Sequence, residues 1–351
     1  MKRIHHRIGV LAVLALLVPV TGCNPSGGES DVAQSTGEAS QVRIGYFPNL
    51  THAPAIVGVD KGYFADHLGK TTLTPMVFSA GPAAMESLFS GAVDMIFVGP
   101  NPTVNGFVKS EGAALRVVAG AASGGAGLVV REGINSIADL EGKKIATPQL
   151  GNTQDVALRF WLKEQGLSAD TEGGGDVSIM PQENSLSFQS FVSGELDGAW
   201  VPEPWLTRII QDGGGHLLQD ERDLWPDGQF VVTNLVVSAD FLRKYPTSVR
   251  AVLKGEIDAV DFIEAEPDAA KKVVNEGIEK ITGQQIDPMV LEGAWQNVSF
   301  TVDPLPATLA KGAQNASAVG FLDTVDLTGL YDLGPLNTIL KERGITEVAI
   351  P

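Results

Sequence analysis

Apolar and polar positions along residues 42–237 follow two recurring patterns. Short apolar runs bounded by glycine, proline or aspartate predict β-strands, and stretches with apolar residues every three or four positions predict helices. The predicted strands are 42–46, 73–78, 94–98, 116–119, 128–130, 144–146, 177–180, 198–200 and 231–237. The predicted helices that alternate with them are 82–90, 102–109, 154–166, 186–193 and 204–212.

Beyond Ser238 the pattern becomes almost entirely helical, with predicted helices at 239–244, 247–264, 269–282, 288–296 and 306–315. Strands that alternate with helices, followed by a helical tail, predict an α/β fold with mostly parallel sheets. The alternation falls into two sets. The first covers about 42–126, and the second opens at Ser136 with the capping-box-like start of a short helix and continues to about 230.

Two segments connect these sets. They are the glycine-rich "ASGGAGLVV" (122–130) and the apolar "FVVTNLVVS" (230–238), which is typical of a strand that returns the chain. Two sheets joined by two crossing strands would form a cleft. Because ligands of open α/β sheets bind at the carboxyl ends of strands, the strand-to-helix turns become the candidate site.

Polar or glycine-containing turns follow several of the predicted strands. They occur in "YFPNLTHAP", "FSAGPA", "VGPNPT" and "TPQLGNTQDVA". A helix that begins at such a turn presents free backbone N–H groups and the positive end of its dipole. Several of these ends together would bind a small oxyanion without lysine or arginine. Each turn taken alone is equally consistent with a well-capped helix.

Aromatic residues mark one more turn, "DGAWVPEPWLTR" (197–208). Here Glu203 would accept a hydrogen bond from a ligand amine or hydroxyl, and Trp205 would form a wall of the pocket. In the structural alternative, Trp200 belongs to the core, Trp205 packs its own helix, and Glu203 lies in the first turn against the helix dipole.

The first 23 residues indicate export. Lys2, Arg3 and Arg7 precede an apolar segment (8–20) that is too short to span a membrane, which is typical of a signal peptide. It ends in "VTGC", which resembles a bacterial lipobox in which Cys23 receives a lipid. An ordinary cleaved signal with an incidental cysteine is the alternative. Polar residues then predict a disordered tether over 23–41, and no second apolar span of membrane length follows.

Composition excludes several classes of function. Cys23 is the only cysteine in the sequence, which leaves no disulfide or thiol nucleophile, and His52, His67 and His216 lack metal-ligand spacing. No nucleophile elbow, P-loop or dinucleotide motif occurs, so we expect a protein that is not an enzyme and needs no cofactor or metal. Removal of the three cations of the signal peptide changes the formal net charge from −17 to −20. We therefore expect no nucleic acid partner.

Several blocks resemble the substrate-binding proteins of ABC importers for nitrate, sulfonate or taurine, bicarbonate and thiamine-pyrimidine precursors. They are "IGYFPNLTHAPAIVGVDKGYF", "FSGAVDMIFVGPNP", "INSIADLEGKKIATP", "NTQDVALRFWLKEQGL" and "SGELDGAWVPEPW". The resemblance implies a type II periplasmic-binding-protein fold that closes on its ligand by a hinge. Its expected parts are a signal peptide (1–22), the tether (23–41), lobe 1 (42–126, completed by 234–351) and lobe 2 (127–233).

Carried onto this sequence, the family pocket is lined by Asn49, His52, Ser79, Gly81, Asn101, Ser123, Gly124, Asn152, Thr153, Gln154, Glu203 and Trp205. The resemblance also implies a lipid-anchored monomer outside the cytoplasmic membrane, with a permease and its ATPase as partners. We expect an aliphatic sulfonate or taurine as the ligand. The alternatives are a thiamine-pyrimidine or other heterocycle, or nitrate or bicarbonate; a surface receptor without a transport role is a further class. Related enzymes of thiamine-pyrimidine synthesis carry a cysteine-rich motif that this sequence lacks.

Overall fold

Two β-sheets organise the part of the chain that the computed structural model describes, residues 37–172, 174–323 and 326–349. The six-stranded sheet has the order β11-β4-β10-β3-β1-β2, and the five-stranded sheet has the order β7-β6-β8-β5-β9. We call each sheet with its covering helices lobe 1 and lobe 2, respectively. The strands are β1 (Gln41–Tyr46), β2 (Thr72–Val77), β3 (Met95–Val98), β4 (Leu115–Gly124), β5 (Ala126–Val130), β6 (Lys144–Thr147), β7 (Ser178–Pro181), β8 (Gly198–Pro202), β9 (His216–Asp220), β10 (Val231–Ser238) and β11 (Val298–Phe300).

Helices cover both faces of each sheet, which is why the central strands are almost continuously apolar. The helices are α1 (Ala53–Asp60), α2 (Tyr63–Leu68), α3 (Gly81–Phe89), α4 (Pro100–Lys109), α5 (Thr153–Glu164), α6 (Asn184–Ser193), α7 (Trp205–Gln211), α8 (Ala239–Lys244), α9 (Pro246–Ala265), α10 (Pro267–Thr282), α11 (Pro288–Trp295), α12 (Pro306–Ala318) and α13 (Gly334–Glu342). Short 3-10 turns occupy Leu50–His52, Ile137–Leu140, Glu221–Leu224 and Pro226–Gly228. In lobe 1, α1, α2, α9 and α10 contribute to one core and α3, α4 and α12 to the other.

The predicted α/β fold is confirmed, but each sheet is mixed rather than mostly parallel. Strand β1 pairs in parallel with β2 and β3, whereas β10 runs antiparallel to β3 and β4. In lobe 2, β6 is parallel to β7 and β8, and β5 is antiparallel to β8 and β9. The reason is geometric, because a chain that arrives from the other lobe enters the sheet against the direction of its neighbours.

The chain passes between the lobes twice. The first passage is direct: β4 continues through Gly124 and Gly125, both at positive φ, into β5. The second runs from β9 through two 3-10 turns into β10. Sequence analysis missed β9 and β11, because β9 is a half-buried edge strand of mixed polarity and β11 has only three residues. It also missed α13.

The predicted tether extends too far. Cys23 and most of the tether lie outside the described residues, but residues 37–41 lie against the body of lobe 1. Ala39 is buried, and its N–H donates to Ser248 Oγ at 2.8 Å. Its carbonyl accepts from Thr71 Oγ1 at 2.6 Å. Gln41 already belongs to β1, so these residues have fixed partners that their polar composition did not indicate.

Among the described residues, none of the helices combines the length and the apolar character needed to cross a bilayer.

Candidate ligand-binding site

Strand-to-helix turns from both lobes enclose a cavity of about 400 Å³, its opening to solvent included. None of its lining residues carries a charged side chain; each is neutral and polar, apolar, or a glycine. The lining residues are Phe47, Asn49, Thr51, His52, Ser79, Ala80, Gly81, Gly99, Pro102, Pro148, Asn152, Thr153, Gln154, Asn184, Pro202 and Val232. We call this space the inner cavity.

Five helix starts border the inner cavity. From lobe 1 come the turn that leads into α1 and the first residues of α3 and α4; from lobe 2 come α5 and α6. Helix α5 is capped by Asn152, whose Oδ1 accepts from the N–H of Asp155 at 2.9 Å. The positive dipole ends of such starts favour negative charge, although the prolines among their first residues (Pro54, Pro82, Pro100 and Pro102) have no N–H to donate. Their convergence makes the cavity suited to an anion.

His52 is the only titratable residue in this lining. It is buried, and burial lowers its pKa to about 3, so the ring is neutral at physiological pH. The N–H of Phe47 donates to His52 Nδ1 at 3.4 Å, and the two rings lie 4.3 Å apart. Because Nδ1 accepts, the neutral ring carries its proton on Nε2. His52 is therefore a neutral donor rather than a cation.

Two polar atoms of the lining have no partner within the protein. They are Thr153 Oγ1 and Asn184 Oδ1, and both residues are more than nine-tenths buried. Buried polar groups are nearly always paired, so these two atoms remain available to a molecule bound in the cavity. Sequence analysis did not single out Asn184, because it began the helix two residues later. The polar turn "PQENS" after β7 was the signal that would have found it.

The two lobes contact each other around this cavity. A Cβ atom on Gly99 of lobe 1 would lie 2.3 Å from Thr153 Oγ1 of lobe 2, so only glycine allows this approach. The N–H of Leu50 donates to the carbonyl of Glu203 at 3.2 Å, and Trp205 Nε1 donates to Asn49 Oδ1 at 3.1 Å. The lobes are thus closed over the space that the helix starts share.

The structure brings seven of the predicted residues into this lining: Asn49, His52, Ser79, Gly81, Asn152, Thr153 and Gln154. It does not bring the other five. Trp205 borders an outer groove and reaches the cavity only through its bond to Asn49. The Nδ2 atom of Asn101 donates to the carbonyl of Gly312 at 3.2 Å. Asn101 therefore lies on the far side of α4.

Ser123 and Gly124 lie where β4 crosses between the lobes, away from the inner cavity. The hydroxyl of Ser123 accepts from the N–H of Phe230 at 3.2 Å. Gly124 adopts φ +78°, and a Cβ there would lie 2.8 Å from the carbonyl oxygen of Asn297. Both residues therefore shape the crossing between the lobes and do not line the inner cavity.

Glu203 is fully buried and its carboxylate is satisfied within the protein. It accepts from the N–H of Thr207 at 3.1 Å, from the Thr207 hydroxyl at 2.8 Å and from Asn297 Nδ2 at 2.7 Å. Burial raises the pKa of Glu203, and these hydrogen bonds oppose the rise. The preceding residue, Pro202, lines the inner cavity, whereas the Glu203 side chain does not. The predicted contact between Glu203 and a ligand amine therefore has no support in its position.

A second, smaller cavity of about 290 Å³ adjoins the first across Thr153. Asn101, Thr308, Asn315 and Glu221 contribute to its lining. Glu221 is buried and accepts from Trp200 Nε1 at 2.8 Å; burial raises its pKa to about 7. Within the described ranges, no cluster of three or more histidine, cysteine, aspartate or glutamate residues has the geometry to hold a metal ion.

Comparison with known proteins fits this geometry. The sequence profile of the NMT1-like family matches residues 35–276, more than half of the chain. The chain belongs to the NMT1-like family. It is 28% identical to the taurine-binding periplasmic protein of Escherichia coli K12 over 231 residues, which are 66% of this chain and 69% of that protein.

Solved structures confirm the fold. The alkanesulfonate-binding protein SsuA from Xanthomonas axonopodis pv. citri, bound to MOPS, superposes with a TM-score of 0.69 at 22% identity, over 84% of this chain and 99% of that one. The periplasmic nitrate-binding protein NrtA from Synechocystis PCC 6803 gives a TM-score of 0.69 at 14% identity, over 87% and 89%. At these identities the likeness establishes the periplasmic-binding-protein fold alone.

Proposed function

We propose that this protein is the extracytoplasmic solute-binding component of an ABC importer, and that it captures a small organic oxyanion between its lobes. The observation that carries the proposal is the convergence of five helix starts on a cavity without a charged side chain. Similarity to taurine-, alkanesulfonate- and nitrate-binding proteins supports the same class of ligand.

Among these ligands an organosulfonate without an amine fits best. A sulfonate stays ionised at physiological pH and accepts hydrogen bonds on three oxygens, so neutral N–H and hydroxyl donors are sufficient to bind it. Taurine also carries an ammonium group, and no carboxylate lines the inner cavity. The nearest predicted carboxylate, Glu203, is already occupied by Thr207 and Asn297.

A thermal-shift screen tests the proposal with methanesulfonate, taurine, nitrate, bicarbonate and a thiamine-pyrimidine. A ligand at about 100 times its dissociation constant stabilises the folded state by about 2.7 kcal/mol. We expect a rise in melting temperature with methanesulfonate. If no anion raises the melting temperature, the proposal is rejected. If only the pyrimidine raises it, the ligand is a heterocycle and not an oxyanion.

Thr153→Val, with Thr233→Val as its control, places the ligand. Both threonines are buried and both Oγ1 atoms lack a partner within the protein, but only Thr153 lines the inner cavity. Because neither hydroxyl has a partner to lose, we expect little change in the stability of either variant. Sulfonate affinity should fall about tenfold in Thr153→Val, the value of one hydrogen bond to a charged group, and stay unchanged in Thr233→Val.

We further propose that closure presents the two lobes to a membrane permease driven by an ATPase, that the protein acts as a monomer without catalysis, and that Cys23 carries a lipid. Similarity to proteins named for ligand binding supports binding without chemistry. The motif "VTGC" supports the anchor. Membrane fractionation of Cys23→Ala tests the anchor: release from the membrane is expected, and retention would contradict it.

A further inference from the structure

We propose that the natural solute is an aromatic organosulfonate, whose sulfonate occupies the inner cavity and whose ring extends into an adjoining groove. This inference rests on the proposed function and narrows its substrate class. The groove, which we call the outer groove, has a volume of about 1850 Å³ including space open to solvent. The inner cavity, at about 400 Å³ with its opening, offers much less room.

The two spaces are adjacent. Asn49, Ser79 and Asn184 line both of them, so a molecule bound at the helix starts would extend outward between these residues. Two of the three come from lobe 1 and one from lobe 2. A solute that extends along this path would therefore contact both lobes beyond the inner cavity.

Aromatic side chains from both lobes border the outer groove. Phe78 comes from lobe 1, and Phe188 and Trp205 come from lobe 2. The Arg208 guanidinium lies 4.4 Å from the centre of the Phe188 ring and 5.4 Å from that of Trp205. Flat guanidinium and aromatic groups offer stacking surfaces to another ring, which an alkyl tail cannot use in the same way.

The charged residues of the outer groove determine which substituents the far end of the solute can carry. Arg208 is accompanied by three carboxylates that also border the groove, Glu183, Asp212 and Asp287. Asp212 Oδ2 lies 3.7 Å from Arg208 Nε, so this cation is partly offset. The excess of negative charge disfavours a second anionic group. The solute should therefore be anionic at one end only, with a neutral or cationic ring substituent.

Isothermal titration calorimetry with methanesulfonate, benzenesulfonate and naphthalene-2-sulfonate tests this inference. We expect the aromatic sulfonates to bind about tenfold more tightly than methanesulfonate, the usual scale of an aromatic contact. If methanesulfonate binds and the aromatic sulfonates bind no more tightly, the inference is wrong while the proposed function stands. If no sulfonate binds, both fail.

The variant Phe188→Leu tests whether the preference for aromatic sulfonates depends on the outer groove. Leucine keeps the apolar bulk but removes the ring, and Phe188 does not line the inner cavity. We expect the aromatic preference to fall to about twofold while methanesulfonate affinity is unchanged. The matched control is Phe89→Leu, an exposed phenylalanine of α3 outside both spaces, which should preserve the preference. An equal loss for all three sulfonates in Phe188→Leu, or an unchanged preference, would overturn the inference.

Discussion

The inner cavity and the nearby crossing between the lobes differ in the charge of their side chains. The cavity lining contains no charged side chain. At the crossing, Arg222 Nη2 bonds to Asp220 Oδ2 at 2.6 Å and to Asn297 Oδ1 at 3.1 Å, and Asn297 Nδ2 bonds to Glu203 at 2.7 Å. Charged residues occur at the crossing, where their partners belong to the protein, and are missing from the cavity lining, where the proposed partner is a solute.

The cost of an unpaired buried charge explains this difference. A lysine or arginine in the inner cavity would be left without a counter-ion whenever the solute departed, and an uncompensated buried charge is strongly destabilising. Backbone N–H groups at helix starts carry only partial charge, so an empty cavity costs less. In the proposed function, the lobes would open and close around an anion without leaving a full charge unpaired.

The largest effect on the cavity side is expected from Gly99→Val. The new side chain would collide with Thr153, because even a Cβ atom would lie 2.3 Å from Thr153 Oγ1. Overpacking of this kind costs about 1–3 kcal/mol, which should weaken sulfonate binding about tenfold to hundredfold. Gly334→Val is the control, since a Cβ there meets only Asp332 Oδ1, at 3.6 Å. Calorimetry that shows equal affinities for the two variants would mean that binding does not need this closure.

At the crossing, Asn297→Ala should affect stability instead of binding. It removes one donor from the buried Glu203 and one acceptor from Arg222. The loss of one hydrogen bond to a buried carboxylate costs about 1–2 kcal/mol, which a chemical denaturation curve would detect. Sulfonate affinity should remain within about twofold. Weaker binding at unchanged stability would instead place this network in contact with the solute.

Glu221→Gln should alter how stability depends on pH. The folded-state pKa of Glu221 is about 7, above its ordinary value of 4.5, so between these values the folded protein holds a proton that the unfolded chain releases. The unfolding free energy therefore falls as pH rises through this window. Glutamine stays neutral and retains an acceptor for Trp200, so the stability of the variant relative to the wild type should rise by about 3 kcal/mol between pH 4.5 and pH 8. Parallel melting curves at both pH values would contradict the raised pKa.

Sequence reasoning located the helix starts because their signals are local. A polar or glycine turn between an apolar strand and a periodic helix identifies a free helix end, and the carboxyl ends of neighbouring strands meet at one sheet edge. That logic led to Ser79 and Asn152, which line the inner cavity. It could not give the direction of a single side chain, so it assigned Glu203 to the ligand when the adjacent Pro202 faces the cavity.

Hydrogen-bond partners that are distant in sequence account for the other differences between the sequence predictions and the structure. Asn297 is 94 positions from Glu203, and no local pattern links them. Ala39 likewise donates to Ser248, which lies 209 positions further along the sequence. A segment with the composition of a tether is therefore bound to the body of lobe 1. Composition predicts how a segment behaves alone, whereas its fixed position depends on surfaces assembled from elsewhere.

The smallest expected effect is the change of sulfonate affinity with pH. His52 is the only titratable residue of the inner cavity lining, and its pKa of about 3 keeps it neutral above pH 5. A sulfonate also stays ionised, so neither side of the contact changes charge between pH 5.5 and 8. Glu221 titrates within this range, but it borders the second cavity, across Thr153. Calorimetry should therefore find affinities within about twofold over this range. A steep gain in affinity at low pH would mean that a protonated group binds the anion. The helix starts alone would then not account for anion binding.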